Sequence, residues 1–410
     1  MSRAKPSRAI PRGAFSPTSA GIPDQLRPPQ PRNKGREASL AKPEAATAPP
    51  PPVFSFRHKP RDIARHLSRF VIGQTEAKKV LSVALCDHFQ HVRLTMEGHE
   101  APHYQKQNVL LLGPTGVGKT HLIRSAAELI GVPFVKADAT KFSETGYVGG
   151  DVDDLVRDRL RRAGGDVRRA SHGIVYLDEI DKLAGRGSGR DVSGRGVQTN
   201  LLKLLEDGDV PLVSPNDVSG QIEAAMSAAR GSARGGPDAI STRNILFIAS
   251  GAFSGLETIV KHRLEEISEP VSRLNTEKLL ARANTSDLVR FGLEPEFVGR
   301  LPVRVVCHGL TESDLFSVLK KSESSLLHQY ERAFAAYGIR LVFRDDALRL
   351  LAGLARGEGT GARGLMTVLE KTFRDLKFHL PSSRVRRLDV TADVVREPST
   401  ALADLLRRKS

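Results

Sequence analysis

A glycine-rich loop at residues 113–120 is the segment of the chain with the clearest chemical meaning. Its sequence, Gly-Pro-Thr-Gly-Val-Gly-Lys-Thr, has the G-x4-G-K-[ST] spacing of a phosphate-binding loop, between a strand-like run and a helix-like stretch. Glycines let backbone amides wrap phosphate oxygens, and the helix N-terminus adds a positive dipole. We expect Lys119 to neutralise the β- and γ-phosphates of ATP, and Thr120 to direct its hydroxyl to Mg²⁺. The predicted nucleotide-binding residues here are Gly113, Pro114, Thr115, Gly116, Val117, Gly118, Lys119, Thr120 and His121.

A second chemical segment is the apolar run 174–177, which ends in Asp178 and Glu179. A carboxylate at the end of a buried strand can hold the water shell of Mg²⁺, and a second can orient and deprotonate an attacking water. We assign these roles to Asp178 and Glu179 respectively. Paired acids also occur at solvated sheet edges and helix caps, but the phosphate loop about 60 residues upstream favours the catalytic interpretation.

Two arginines and one aromatic loop are candidates that residue chemistry alone leaves open. Arg300 stands before Leu-Pro and could stabilise transition-state charge on a γ-phosphate, although such an arginine is more often a surface or salt-bridge residue. Arg363 opens a helix and could bind nucleotide across a cleft or form a structural ion pair. Tyr147 and Val148 are bracketed by glycines, which is typical either of an exposed contact loop or of a tucked-in aromatic.

The order of patterns along the chain predicts an α/β fold behind a disordered arm. The first 52 residues hold 12 of the 24 prolines and few bulky apolar side chains, so they cannot offset their ordering entropy. Apolar runs then alternate with helical periodicity, as in a parallel sheet buried between helices. The expected segments are a Pro/Arg-rich arm at 1–58, a large domain at 59–307 with a mobile insertion at about 214–240, a smaller helix-rich α/β domain at 308–392, and a C-terminal tail at 393–410.

Individual elements can also be predicted. The large domain has four strand-like runs, at 108–112, 133–137, 174–177 and 245–249. In the smaller domain, Thr311 begins a sequence typical of a helix start, residues 339–343 read as a strand, and two helices cover about 345–380.

Composition excludes several classes of protein. The chain has 410 residues, and no apolar run approaches the length of roughly 18 residues that spans a bilayer, so no membrane association is expected. Its two cysteines exclude a disulfide framework and a four-cysteine zinc site. The net charge is +15, of which the first 52 residues carry +6. No aromatic-interleaved basic stripe accompanies this charge, so nucleic acid is not the expected partner.

Taken together, these motifs resemble the AAA+ unfoldases of the ClpX family, from about residue 60 to about residue 385. Residues 70–74 are similar to the adenine-side segment, and 146–149 to the axial pore loop. Residues 178–182 resemble the Walker B box, 291–303 the arginine-finger segment, and 361–365 the sensor-2 helix. The HslU family is the next most similar, but it carries a large extra domain between the pore loop and the Walker B box, and this chain has only about 30 residues there.

The resemblance implies a homo-oligomeric ring that uses ATP and Mg²⁺ to thread polypeptides through its pore. We expect this ring to be a hexamer. Val71 and Ile72 would then contact the nucleotide, and Tyr147 and Val148 would grip the substrate. Arg300 would act on the neighbouring subunit, Arg363 would couple nucleotide state to the angle between domains, and Ser250 would be the sensor-1 residue.

Three departures from the ClpX pattern bear on partners. A proline-rich arm replaces the zinc domain, residues 265–288 lack the Ile/Leu-Gly-Phe peptidase-docking tripeptide, and Arg195 stands where the family usually has Glu. We therefore expect a remodelling ATPase without the usual peptidase. The alternatives are a peptidase partner with a different docking surface, and a nucleotide-switched or DNA-associated module. The expected location is the bacterial cytoplasm, with the mitochondrial matrix as the alternative.

Overall fold

The computed structural model describes residues 54–407 except for 100, 102, 143–150, 186–191, 213–225, 227–238, 269–270 and 272. Tyr147, Val148 and nearly all of the 214–240 insertion lie outside the described residues, as do residues 1–53 of the predicted arm. The description below concerns the described residues.

A five-stranded parallel sheet forms the centre of the N-terminal part of the fold. Its strands are β1 Val109–Leu112, β2 Phe134–Asp138, β3 Gly173–Asp178, β6 Ile245–Gly251 and β7 Val303–Val306. They lie in the order β2-β3-β6-β1-β7, so β1 is flanked by two strands that come much later in the sequence. Continuous apolar runs build the central strands because both sheet faces are covered, and every residue of β1 and β6 is buried.

Helices cover both faces of this sheet, and two short strands form a separate antiparallel sheet. β4 Asp209–Pro211 pairs with β5 Ala239–Ser241, at the two ends of the predicted insertion. The helices are α1 Pro60–Phe70, α2 Thr75–Met96, α3 Lys119–Ile130, α4 Asp154–Arg162, α5 Val167–Ala170, α6 Val192–Leu205, α7 Leu256–Glu266, α8 Thr276–Leu280, α9 Thr285–Phe291 and α10 Pro295–Gly299, with 3-10 turns at Ala139–Lys141 and Ile180–Leu183.

The C-terminal part is a smaller helical region around a two-stranded parallel sheet. Its first helix begins as predicted: Thr311 accepts from the backbone N–H of Asp314, whose carboxylate accepts from the backbone N–H of Thr311. The elements are α11 Glu312–Lys321, α12 Leu326–Ala335, β8 Arg340–Phe343, α13 Asp345–Gly357, α14 Ala362–His379, a 3-10 turn at Leu380–Ser382, β9 Arg387–Val390, α15 Ala392–Arg396 and α16 Pro398–Arg407.

These elements confirm the α/β fold class and the four predicted strands of the large sheet. The fifth strand, β7, was not predicted, because it is only four residues long and contains Arg304. The segment at 393–410, which we expected as a tail, is helical over most of its described length, and Leu402 of α16 is buried against the core. No helix among the described residues is long and apolar enough to cross a membrane.

Candidate functional site

A cleft of about 530 Å³ lies between the carboxyl end of the large sheet and the C-terminal helical region. In open parallel sheets, this edge is where ligands bind, beside the strand at which the chain reverses its direction of winding. Here that strand is β1, which lies between β6 and β7. The cleft is lined by the phosphate loop, by the end of β3, by residues 70–72 and by the start of α14.

The phosphate loop wraps around the side chain of Lys119. Its glycines at 113, 116 and 118 have φ values of +143°, +74° and +98°, which only glycine adopts without strain. Lys119 is buried, and its Nζ donates to the carbonyl oxygens of Gly113 at 2.5 Å and Pro114 at 2.8 Å. Burial lowers the pKa of Lys119, because the ammonium has lost most of its contact with water. An anionic phosphate oxygen in this loop would compensate that loss, so the residues present fit a nucleotide.

Asp178 is the centre of a polar network at the end of β3. Its carboxylate accepts from Ser250 Oγ at 2.8 Å and lies 2.8 Å from Lys136 Nζ. Thr120 Oγ1 is 3.5 Å from the same carboxylate, and Tyr176 OH is 2.6 Å from Ser250 Oγ. Burial alone would raise the pKa of Asp178, but the hydrogen bonds from Lys136 and Ser250 outweigh burial and hold that pKa below its usual value. Asp178 is therefore kept ionised.

Glu179 follows Asp178 on an exposed, strained turn. Its φ is +59°, in the left-handed region that costs a residue with a side chain about 1–2 kcal/mol. The backbone N–H of Glu179 donates to Asp178 Oδ1, and its side chain lines the cleft. The turn thus directs one carboxylate toward the phosphate loop and the other into the open cleft.

The C-terminal region touches the phosphate loop directly. The backbone N–H of Ala362, the first residue of α14, donates to the carbonyl oxygen of Gly116 at 2.9 Å. A Cβ added to Gly361 would lie 2.7 Å from that oxygen, and one added to Gly116 would lie 2.0 Å from the Thr360 carbonyl oxygen. Arg363 follows at once and lines the cleft. Any rotation of the C-terminal region must therefore move, or break, its contact with the loop.

The opposite wall of the cleft is formed by the predicted adenine-side residues. Val71 and Ile72 both line it, and a Cβ added to Gly118 would be 3.4 Å from Val71. His121 lies in the same wall, with Nε2 2.9 Å from the hydroxyl of Ser324. Burial lowers the pKa of His121, which favours its neutral form.

Arg300 does not line this cleft. Its guanidinium is 2.6 Å from the carboxylate of Glu206, beside a second cavity of about 660 Å³ that Lys106 also lines. The Arg300 carbonyl oxygen accepts from Asn108 Nδ2 at 3.1 Å. The side chain is exposed, so it is available to a neighbouring molecule rather than to its own cleft.

Two residues of the site were missed by sequence reasoning. Lys136 lies on β2 and Tyr176 on β3, and both contact the Asp178 network. The available signal was Lys136 itself, a charged side chain inside the otherwise apolar run Phe-Val-Lys-Ala.

In the described part of the chain, no group of three or more His, Cys, Asp or Glu side chains is arranged to hold a metal ion. Thr120 and Asp178 fit a Mg²⁺ that keeps several of its waters.

Comparison with known proteins agrees with this geometry. The AAA domain of the Cdc48 subfamily matches residues 104–304. The ATP-dependent Clp protease ATP-binding subunit ClpX 3 of Methylococcus capsulatus is 42% identical over 358 residues, which is 82% of this chain and 80% of the relative. The chain belongs to the ClpX family of AAA+ ATPases. The ClpX subunits of Borrelia duttonii and Azotobacter vinelandii are 40% and 38% identical, over 82% and 79% of this chain and 78% and 74% of theirs.

One departure from the ClpX pattern can now be located. Arg195, where the family usually has Glu, donates to the carboxylate of Glu294 at 2.5 Å, just before α10 and Arg300.

Both cysteines are free and buried, and burial raises the pKa of each thiol to about 11. Cys86 and Cys307 are therefore core side chains without the reactivity of a metal ligand or nucleophile.

Proposed function

We propose that this ClpX-family ATPase unfolds or remodels other proteins, driven by ATP hydrolysis. The observation that carries the proposal is the direct contact between the phosphate loop and the C-terminal region, through Ala362 and Gly116. A nucleotide in the cleft would touch both sides of this contact, so binding and hydrolysis would change the angle between the two parts. Work on a polypeptide needs such a moving element.

In this proposal the chain's own residues hold ATP–Mg²⁺ in the cleft. The amides of the phosphate loop and Lys119 bind the β- and γ-phosphates, while Thr120 and Asp178 hold the metal and its waters. Mg²⁺ supplies charge neutralisation to the phosphoryl group when bound. Ser250 and Lys136 keep Asp178 oriented and ionised. Glu179, exposed on its strained turn, orients the attacking water and accepts its proton.

The catalytic site is completed, in this proposal, by a neighbouring copy of the chain. Arg300 is exposed and lies away from its own cleft, which supports a ring in which it reaches the γ-phosphate of the next subunit. Arg363 lines the cleft of its own subunit and senses the nucleotide there. We propose a homomeric, hexameric ring, acting in a bacterial cytoplasm in keeping with the bacterial relatives.

Tyr147 and Val148 are the proposed substrate grip. An aromatic and an aliphatic side chain can hold a polypeptide by apolar contact with little dependence on its sequence. In the sequence, the segment that carries them is followed by α4. We propose that the substrate is an unfolded or partly unfolded polypeptide.

We further propose that the protein works without the usual peptidase, because residues 265–288 contain no Ile/Leu-Gly-Phe tripeptide. The second candidate is a peptidase-associated unfoldase that docks through another surface. It is favoured by the names of the relatives, which are Clp protease ATP-binding subunits.

The test is ATP-dependent unfolding of a fluorescent reporter protein that carries a series of unstructured tags. Wild type should abolish the fluorescence of at least one tagged reporter, whereas Glu179→Gln and Tyr147→Ala should not. Tyr337→Ala, which removes an exposed tyrosine of the C-terminal region, is the matched control and should behave as wild type. ATP hydrolysis without unfolding of any reporter would refute the unfoldase proposal. Degradation of the reporter on addition of a ClpP-type peptidase would favour the second candidate.

A further inference from the structure

Helix α6 (Val192–Leu205) connects the turn after Glu179 to the segment that carries Arg300. The connection is made by Gln198, which is only 2% exposed. Its Nε2 donates to the carbonyl oxygen of Leu183 at 3.0 Å, and its Oε1 accepts from the backbone N–H of Glu294 at 2.8 Å. Leu183 ends the 3-10 turn that starts at Ile180, directly after Glu179, and Glu294 directly precedes α10. A single buried amide therefore joins the two segments.

Two further contacts bring the same segments together. Arg195, one turn earlier on α6, forms an ion pair with the Glu294 carboxylate at 2.5 Å. Gly292 lies so close to the chain after the 3-10 turn that an added Cβ would meet the Gly185 carbonyl oxygen at 2.8 Å. The backbone after the Asp178–Glu179 turn and the backbone before α10 are thus in direct contact.

The other end of α6 holds Arg300 itself. Glu206, the residue after the helix, pairs with the Arg300 guanidinium at 2.6 Å. Lys106 Nζ donates to the carbonyl oxygens of Leu204 and Glu206 and so holds the end of the helix. Asn108 Nδ2 donates both to the Leu205 carbonyl oxygen and to that of Arg300. Helix α6 thus contacts the Arg300 segment at both of its ends.

We infer that Gln198, reinforced by Arg195, is a positioning residue that ties the 3-10 turn after Glu179 to Arg300 of the same subunit. This inference rests on the proposed function, in which Arg300 acts on the nucleotide of the neighbouring subunit. A displacement of the Asp178–Glu179 carboxylates would also displace the 3-10 turn that follows them. The hydrogen bonds of the Gln198 amide would transmit this displacement to Glu294 and α10. Arg300 would move as well, because it directly follows α10. The nucleotide state of one cleft thereby sets the position of the arginine in the next.

A double-mutant cycle on the assembled full-length protein tests this route. Arg300→Ala should lower kcat for ATP hydrolysis about 1,000-fold. Gln198→Ala should lower kcat about 10-fold with KM for ATP unchanged, because it displaces a group that acts in the transition state. If Gln198 acts through Arg300, the double variant should be no slower than Arg300→Ala alone. A double variant about 10-fold slower than Arg300→Ala would overturn the inference, since the two effects would be independent.

A charge exchange provides a second test at Arg195 and Glu294, neither of which is buried, so that the fold should be retained. The Arg195 side chain is 73% exposed, and Arg195→Glu would put a carboxylate against that of Glu294. We expect a loss of about 2- to 5-fold in kcat, with Glu294→Arg in the same chain restoring the rate. Arg161→Glu is the matched control, because Arg161 is 74% exposed and its ion pair with Asp158 lies away from α6.

The possible outcomes separate the inference from the proposed function. Failure of Glu294→Arg to rescue Arg195→Glu, or an equal loss in Arg161→Glu, would overturn the role of the ion pair. An unchanged kcat in Arg300→Ala would instead refute the role of Arg300 in the proposed function. Circular dichroism and size-exclusion profiles matching wild type would show that each variant still folds and assembles.

Discussion

Replacement of Arg159 by methionine is expected to stabilise the protein. Arg159 lies on α4, its side chain is 0% exposed, and within the described residues none of its three guanidinium nitrogens has a hydrogen-bond partner. The guanidinium packs against the start of β3, where a Cβ added to Gly173 would lie 2.9 Å from Nη2. A cation in this position has lost its water and gained no acceptor, which is among the most costly arrangements in a protein interior.

The size of the penalty follows from the pKa of Arg159. Burial lowers that pKa from 12.5 to about 9, and at 1.36 kcal/mol per pH unit the difference corresponds to roughly 5 kcal/mol. Exchange of buried ionic groups for apolar residues of similar volume typically raises the free energy of unfolding by about 1–4 kcal/mol. We therefore expect Arg159→Met to raise it by about 2–4 kcal/mol. The pKa of Arg159 is lower in the folded protein than in the unfolded chain. Below about pH 9 the guanidinium is charged in both states, so the full cost of burying the charge is present. The gain in the free energy of unfolding should therefore be equal at about pH 6 and about pH 8.

Urea unfolding of the nucleotide-free protein, followed by circular dichroism, measures this gain. Arg161→Met is the matched control on the same helix. The Arg161 side chain is 74% exposed and pairs with Asp158, so this change should alter the free energy of unfolding by no more than about 0.5 kcal/mol. A loss of stability in Arg159→Met, with Arg161→Met neutral, would refute the reasoning. It would mean that the guanidinium makes a favourable interaction that outweighs its desolvation.

Four further predictions concern the cleft and the core. Glu179→Gln should abolish ATP hydrolysis, because an amide cannot accept the proton of the attacking water. Nucleotide affinity should stay within about twofold of wild type, because the amide keeps the size of the side chain. Calorimetric titration with ATP measures this affinity. Gly361→Ala should lower both the ATPase rate and the free energy of unfolding. The second should fall by at least about 1–3 kcal/mol, because Gly361 has φ +61° and ψ −140° and an added Cβ would lie 2.7 Å from the Gly116 carbonyl oxygen. Gly357→Ala, at an open position, is its control and should not be destabilising. The thiol of Cys307 should react with an aromatic disulfide reagent only after denaturation, because it is buried and its pKa is raised to about 11; rapid reaction of the native protein would contradict this. Burial lowers the pKa of His88 to about 3, so the imidazole takes up a proton in the unfolded chain at a higher pH than in the folded protein. The free energy of unfolding should therefore fall by about 1.5 kcal/mol between about pH 6.5 and about pH 5. Urea titrations at the two pH values should show a smaller fall for His88→Phe.

Much of the fold and of the site could be predicted where the signal is local. The phosphate loop and the Asp178–Glu179 pair are read from neighbouring residues, and the start of α11 from the capping pattern at Thr311. The missed elements lack such a signal. Strand β7 contains an arginine and exists because its backbone pairs with β1, and α16 is stable because Leu402 finds a buried position on the C-terminal region. Short segments of this kind owe their structure to tertiary packing rather than to local preference.

The sequence by itself determined which groups this protein has for ATP chemistry: the spacing of the phosphate loop, the paired carboxylates and the arginines. Only the tertiary structure decided which of them meet. Ser250 and Asp178 are 72 residues apart and come within 2.8 Å because β3 and β6 are adjacent in the sheet. Gln198 reaches Leu183 and Glu294 for a similar reason, since α6 packs between them. Apolar periodicity specifies the face that a helix or strand buries, but the partner on that face depends on strand order and register, which arise from the packing of the whole chain.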